Sequence, residues 1–187
     1  MMRELSDNIM DIAQNSIAAG ASLTEVEVVV SHEKDLISLR FTDNGCGMSE
    51  ELVKAVTEPF TTTRKTRKVG LGIPFLKMLA EMTGGGVEIQ STPEAESPEA
   101  HGTVIKATFG INHIDFIPLG DMVETVKTLI QGSPLINFTY THTMPDREVR
   151  LSCAELRAIL GDDISLGDFE ILSWIDGFLR EQYGEEA

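Results

Sequence analysis

Asp43-Asn44-Gly45-Cys46-Gly47-Met48 closes an alternating apolar and polar run, 36–42, with a tight glycine turn. Asp-Asn-Gly is among the commonest turn sequences, so by itself the segment is equally well a plain strand exit. Its chemistry offers more. Asp43 is an acceptor-only carboxylate at a strand end, suited to an exocyclic amine such as that of adenine. Gly45 and Gly47 let the backbone approach a flat ring closely, because no Cβ intervenes.

Upstream, the β-branched run 25–30 forms a second strand, joined to 36–42 by the polar turn 31–35. Before it, 4–19 reads as a helix: Leu5, Ile9, Ile12, Ala13 and Ile17 recur near a 3.6 period, and Ala19-Gly20-Ala21 ends it. Asp7, Asp11 and Asn15, spaced by four, share the opposite face. A carboxylate one turn from a carboxamide can hold a hydrated magnesium ion and orient a water. The same pattern also describes any solvated helix face.

Downstream, Ser49 caps a short helix with Glu50 and Glu51 in its first turn. From 57 to 69 periodicity vanishes, leaving a loop of about 13 residues, long enough to suggest function. It holds Glu58-Pro59-Phe60-Thr61-Thr62-Thr63-Arg64 and four of the first part's bases: Arg64, Lys65, Arg67 and Lys68. Gly70-Leu71-Gly72-Ile73 then leads into a helix, 73–82, stopped by Gly84-Gly85-Gly86. Free N–H groups at a helix start, beside hydroxyls and guanidinium groups, make a phosphate cradle. No Gly-Lys-Ser/Thr is present, and no Gly-x-Gly-x-x-Gly follows a strand, so Walker and Rossmann fingerprints are excluded. A strand at 87–91, a connection at 92–101 rich in Pro, Glu and Ala, and a strand at 103–109 opened by Gly102-Thr103 complete this part.

After Gly110 the pattern restarts. A helix over 119–130, a hairpin of 135–143 and 148–151 around Pro145-Asp146, a helix capped by Ser152 and a last helix over 168–183 are predicted. On the last helix, Ile171, Trp174, Ile175, Phe178 and Leu179 form an apolar stripe expected to pack in the core. The order of elements predicts an α+β, two-layer α/β sandwich over 1–110, a mixed sheet with helices on one face. Residues 111–187 form a small C-terminal α/β appendage that dimerises the protein, docks a partner or covers the sheet edge.

The 187 residues carry a net charge of −15; divided at Gly110, the first part holds 16 acids and 10 bases and the tail 14 and 5. Such a surface repels nucleic-acid backbones. No apolar run approaches the roughly 18 residues that span a bilayer. The first eight residues lack a basic-then-apolar leader pattern, so a cytoplasmic protein without membrane attachment is expected. Cys46 and Cys153 have neither metal-ligand spacing nor the density of a disulfide framework.

Taken in order, these pieces resemble the ATP-binding fold shared by histidine kinases, anti-sigma-factor kinases, gyrase-type topoisomerases, mismatch-repair ATPases and the ninety-kilodalton heat-shock chaperone, the Bergerat or GHKL class. Asp11-Ile-Ala-Gln-Asn15 looks like its N box, and Asp43-Asn-Gly-Cys-Gly47-Met48 its first glycine box. Glu58-Pro-Phe-Thr-Thr-Thr-Arg64 resembles the histidine-kinase Phe box, Gly70-Leu71-Gly72-Ile73 the second glycine box, and Gly102-Thr103 the last. The resemblance implies ATP and Mg2+ as cofactors. Asn15 would ligate the metal, and Asp11 occupies the place of a hydrolytic glutamate base. Asp43 would accept from the adenine amine with Thr103 assisting through water, and Gly45, Gly47 and Met48 would border the base. Thr62, Thr63 and Arg64 would belong to the lid, with Gly70, Leu71, Gly72 and Ile73 at the phosphates.

Two departures stand out. Asp11 is one methylene shorter than glutamate, and Lys68-Val69 precedes Gly70 where the family often has a further glycine. No histidine precedes Asp11, and the acceptor-like His32-Glu33 lies in a turn after the N box, so neither is read as a phosphoacceptor. His101, His113 and His142 are read as structural or surface residues. The expectation is therefore a stand-alone kinase of serine or histidine on a protein partner, or a slow ATPase. The other class is a nucleotide-dependent regulatory module with little catalysis. A homodimer is compatible with either.

Overall fold

The chain order is α1 (Leu5–Ala18), β1 (Leu23–Ser31), β2 (Leu36–Asp43), α2 (Glu50–Thr57), α3 (Gly72–Met82), β3 (Gly86–Thr92), β4 (Gly102–Gly110), α4 (Met122–Gly132), β5 (Asn137–Thr143), β6 (Glu148–Ser152), α5 (Cys153–Leu160) and α6 (Phe169–Tyr183). This computed structural model describes residues 4–57, 71–161 and 164–185. All six strands join one sheet in the order β3-β4-β2-β1-β5-β6. It is mixed: β5 runs parallel to β1, and every other neighbouring pair is antiparallel.

Alternation along the strands gives the sheet one dry face and one wet one. Val26 and Val28 of β1, Ile37, Leu39 and Phe41 of β2, Ile105, Ala107 and Phe109 of β4, and Phe138 and Tyr140 of β5 are buried. Between them, Glu27, Arg40, Lys106 and Glu88 stand in one row across β1, β2, β4 and β3. Arg40 and Glu27 pair at 3.3 Å. That row belongs on a solvated face, where each such pair adds at most about 1 kcal/mol. The helices cover the dry face with Ile9 and Ile12 of α1, Leu76 and Ala80 of α3, Val126 and Ile130 of α4, and Ile175 and Leu179 of α6, all in one hydrophobic cluster.

The segment after Gly110, expected as an appendage, extends this sheet and shares its core. Of the roles open to it, covering the sheet edge is the one visible: β5 pairs with β1 from Leu23↔Asn137 to Val29↔Thr143. Without it, β1 would present a row of unpaired N–H and C=O groups. The outer edge of β6 is treated similarly. The Gln182 amide accepts from Arg150 N at 2.9 Å and donates to Arg150 O at 3.1 Å, standing in for a strand neighbour.

The start of one helix and the packing of another differ from the sequence expectation. α4 begins at Met122 rather than 119, because Gly120 takes φ 88° and Asp121 stays extended, its carboxylate accepting from Glu124 N at 2.9 Å. The backbone just before that bend is used elsewhere: Pro118 O and Leu119 O accept from Leu5 N and Ser6 N, satisfying first-turn donors of α1. The apolar stripe of α6 also divides. Ile175 and Leu179 are buried, whereas Trp174 is 51% exposed and stacks on Phe178 at 4.9 Å.

Candidate functional site

The turn after β2 is built around Asp43. Its Oδ1 accepts from Gly45 N at 2.9 Å, and its Oδ2 accepts from the Ser16 hydroxyl of α1 at 2.8 Å. An ionised carboxylate has about four lone-pair positions, so each oxygen keeps acceptor capacity. Asn44 ties the turn to the start of β1, its Oδ1 accepting from Ser22 N and Leu23 N, both at 2.9 Å.

α1 holds one side of the turn. Cys46 N donates to Ala19 O at 2.9 Å, and a Cβ on Gly45 would lie 2.8 Å from the Ala19 Cβ. The β3–β4 connection holds the other. Gly47 has φ 64°, and a Cβ there would sit 2.0 Å from Thr92 O. Glu94 N donates to Cys46 O at 3.0 Å, and His101 Nδ1 lies 2.6 Å from Gly45 O. The Ser91 hydroxyl accepts from Met48 N at 2.8 Å and lies 2.9 Å from Thr103 Oγ1 and 3.0 Å from Gly102 O. Thr103 itself is buried and stands in register with Asp43.

α1 also meets the start of α3. A Cβ on Gly72 would lie 3.1 Å from Asp11 Cβ and 3.5 Å from Asp11 Oδ2, so the start of α3 rests on the Asp11 turn. No side chain among the described residues caps α3, and its first backbone acceptor, Leu71 O, takes Phe75 N at 3.0 Å. Pro74 has no N–H, which leaves those of Gly72 and Ile73 at the helix start. The Ile73 side chain is buried in the core, so only its backbone can face a ligand.

Asp43, Gly45, Gly47, Met48 and Thr103 thus gather at one turn, and Asp11 and Gly72 meet one another. α1 joins the two groups, with Asp11 half-buried and Asn15 exposed. Thr62, Thr63, Arg64 and Gly70 lie outside the described residues, as does the basic cluster. Four further residues shape the site without having been singled out for it: Ser16, Ala19, Ser91 and His101. Ser16 had a local signal, a polar residue continuing the line of Ile9, Ile12 and Ala13. Ser91 and His101 had none, because their partners lie 43 and 56 residues away.

This two-layer arrangement is the Bergerat-type α/β sandwich. It aligns with the MutL ATPase domain of Aquifex aeolicus complexed with ADP at a TM-score of 0.56 and 19% identity, over 86% of this chain and 68% of that one. The N-terminal domain of a DNA repair protein aligns at 0.53 and 17% identity, over 81% of this chain and 53% of that one. The chain belongs to the histidine kinase-, DNA gyrase B- and HSP90-like ATPase family, whose model matches residues 1–113.

A putative sensor protein of Shewanella frigidimarina is 30% identical over 115 residues, 60% of this chain and 17% of that protein. The C4-dicarboxylate transport sensor protein DctB of Pseudomonas aeruginosa is 32% identical over 89 residues, 47% of this chain and 14% of that protein. The chain therefore spans less than a fifth of the length of these curated relatives.

Proposed function

We propose that the chain binds ATP with magnesium and uses it as a stand-alone kinase of serine or histidine on a protein partner, or as a slow ATPase. The observation that carries the nucleotide reading is the role of α1 as a common platform: within six residues it contacts the start of α3 through Asp11 and holds Asp43 through Ser16. The donor set fits the ligand. Asp43 keeps lone pairs for the adenine amine, Thr103 assists through water, and Gly45, Gly47 and Met48 border the base. The N–H groups of Gly72 and Ile73, which no side chain among the described residues caps, suit phosphate oxygens with Gly70 and Leu71. Thr62, Thr63 and Arg64 are assigned to the lid.

Asn15 is the proposed protein ligand to magnesium. Among the described residues no group of three or more His, Cys, Asp or Glu side chains gathers for a metal ion. That suits magnesium, which keeps waters and takes its remaining oxygens from phosphates. When bound, the ion would neutralise phosphate charge. Asp11 would then orient and deprotonate the attacking group.

The named relatives include sensor proteins, which supports a protein phosphoacceptor as partner. Among the described residues no helix is long and apolar enough to cross a membrane, and a cytoplasmic setting is proposed. A homodimer is compatible with this reading. The shorter reach of Asp11 favours a second reading, a nucleotide-dependent regulatory module with little turnover.

Single-turnover hydrolysis of ATP by the wild type and Asp11→Asn distinguishes them. The enzyme reading expects nucleotide binding to be retained in D11N and hydrolysis to fall by about 100-fold or more. Equal hydrolysis by both proteins removes Asp11 from the reaction, and absence of turnover in the wild type with tight ATP binding leaves the regulatory reading or a kinase that acts only with its partner.

A further inference from the structure

The glycine turn is gripped more completely than its own sequence explains. Of its backbone acceptors, Cys46 O takes Glu94 N and Gly45 O takes His101 Nδ1, both from the connection between β3 and β4. A carbonyl oxygen only accepts, so His101 must carry a proton on Nδ1. The contact is short, 2.6 Å, and joins residues 56 apart. Gly102, the next residue, adopts φ 136°, and a Cβ there would stand 2.0 Å from Asp43 O. The chain at 101–102 is thus pressed against the carbonyls of Asp43 and Gly45 together.

We infer that His101 is a positioning residue of the nucleotide site: by donating to Gly45 O it fixes the 45–46 peptide plane, and through the Gly45 Cα the adjoining N–H that holds Asp43, and so the direction in which Asp43 presents its free lone pairs. Gly45 N is one of the two donors to the Asp43 carboxylate, which couples the turn's orientation to the carboxylate's. A group held in this way raises affinity by limiting what the ligand must order on binding. This inference rests on the nucleotide reading above.

Isothermal titration with ADP in the presence of MgCl2 tests it on the wild type and on H101A, H101N and H101Q. Asparagine places an amide N–H where Nδ1 lies, whereas glutamine places it nearer Nε2. The expected pattern is about five-fold weaker ADP binding in H101A, the weight of one neutral hydrogen bond. H101N should recover most of that loss and H101Q little of it.

Wild type that binds ADP alongside three variants of equal affinity overturns the inference and leaves the nucleotide reading standing, as does equal weakening in H101N and H101Q. Wild type that fails to bind ADP overturns both. A long-range 1H–15N spectrum of the wild type gives an independent check: the Nδ1-protonated tautomer is expected for His101, and an Nε2-protonated one overturns the assignment.

Discussion

Two hydrogen-bond networks hang from this sheet on either side of β1, and they end differently. On β2, Asp43 receives Ser16 and Gly45 and still has lone pairs to offer at a half-buried position. On β5, Tyr140, Tyr183 and His142 form a chain with contacts of 2.7 and 2.9 Å, and Tyr140 and His142 are almost fully buried. Burial pushes the Tyr140 hydroxyl far above its ordinary range and the Tyr183 hydroxyl up to about 12, and it pulls His142 down to about 4. The first network is held rigid and left incomplete, as a binding group must be. The second is spent on the fold, where neutral partners avoid burying a charge. A polar cluster signals function by its unfilled valences at a reachable surface more than by its size.

The sharpest way to break that contrast is to disturb the turn itself. Gly47→Ala adds a Cβ at φ 64° only 2.0 Å from Thr92 O. It should cost about 3 kcal/mol of stability by urea denaturation, combining left-handed strain with a backbone clash. A cost below about 1 kcal/mol would mean the turn is not held as described.

Asp43→Asn should come next. It keeps the size of the side chain but replaces one acceptor with a donor, and loss of a charge-assisted hydrogen bond should weaken ADP binding by about 10- to 100-fold. Normal affinity in D43N would count heavily against adenine recognition at this turn.

The third test belongs to the buried network. His142 has a folded-state pKa depressed to about 4 from an ordinary 6.5, by burial. The unfolded chain therefore takes up the proton first. The stability that the neutral imidazole contributes is complete above pH 6.5 and is lost as the pH falls toward 4. Between pH 7.5 and 5 the loss should be about 2 kcal/mol, measured by denaturation at each pH, and His142→Phe should flatten that slope. Asp121, Arg180 and Glu185 share the pocket wall with His142, so they are the charges a protonated ring would meet. An unchanged slope in H142F would show that the ring is not the titrating group.

Much of this was legible in the sequence, and unevenly so. Period-2 and period-3.6 patterns carry local information, and α1, β1, β2 and β4 fall within two residues of expectation. The caps at Ser49 and Ser152 were equally readable, since a cap needs only its own next three residues: Leu52 N donates to Ser49 and Glu155 N to Ser152, each at 3.3 Å. The turn at 43–48 and the start of α3 were visible because glycine is required where a Cβ would collide, a demand written in residue identity.

What the chain could not announce locally is who collides with whom. Strand partners are chosen by burial across the whole sheet, so nothing in 137–143 says that it will lie parallel to β1 and cover an edge that residues 1–110 leave open. Ser91 and His101 look like ordinary polar residues until folding brings them 43 and 56 positions back onto the glycine turn. Residue type, spacing and periodicity by themselves determined the elements, the family and the carboxylate-bearing glycine turn. Only the tertiary structure decided the grip on that carboxylate and the union of the two halves in one sheet, because hydrogen bonds and packing between distant segments depend on geometry that local sequence does not encode.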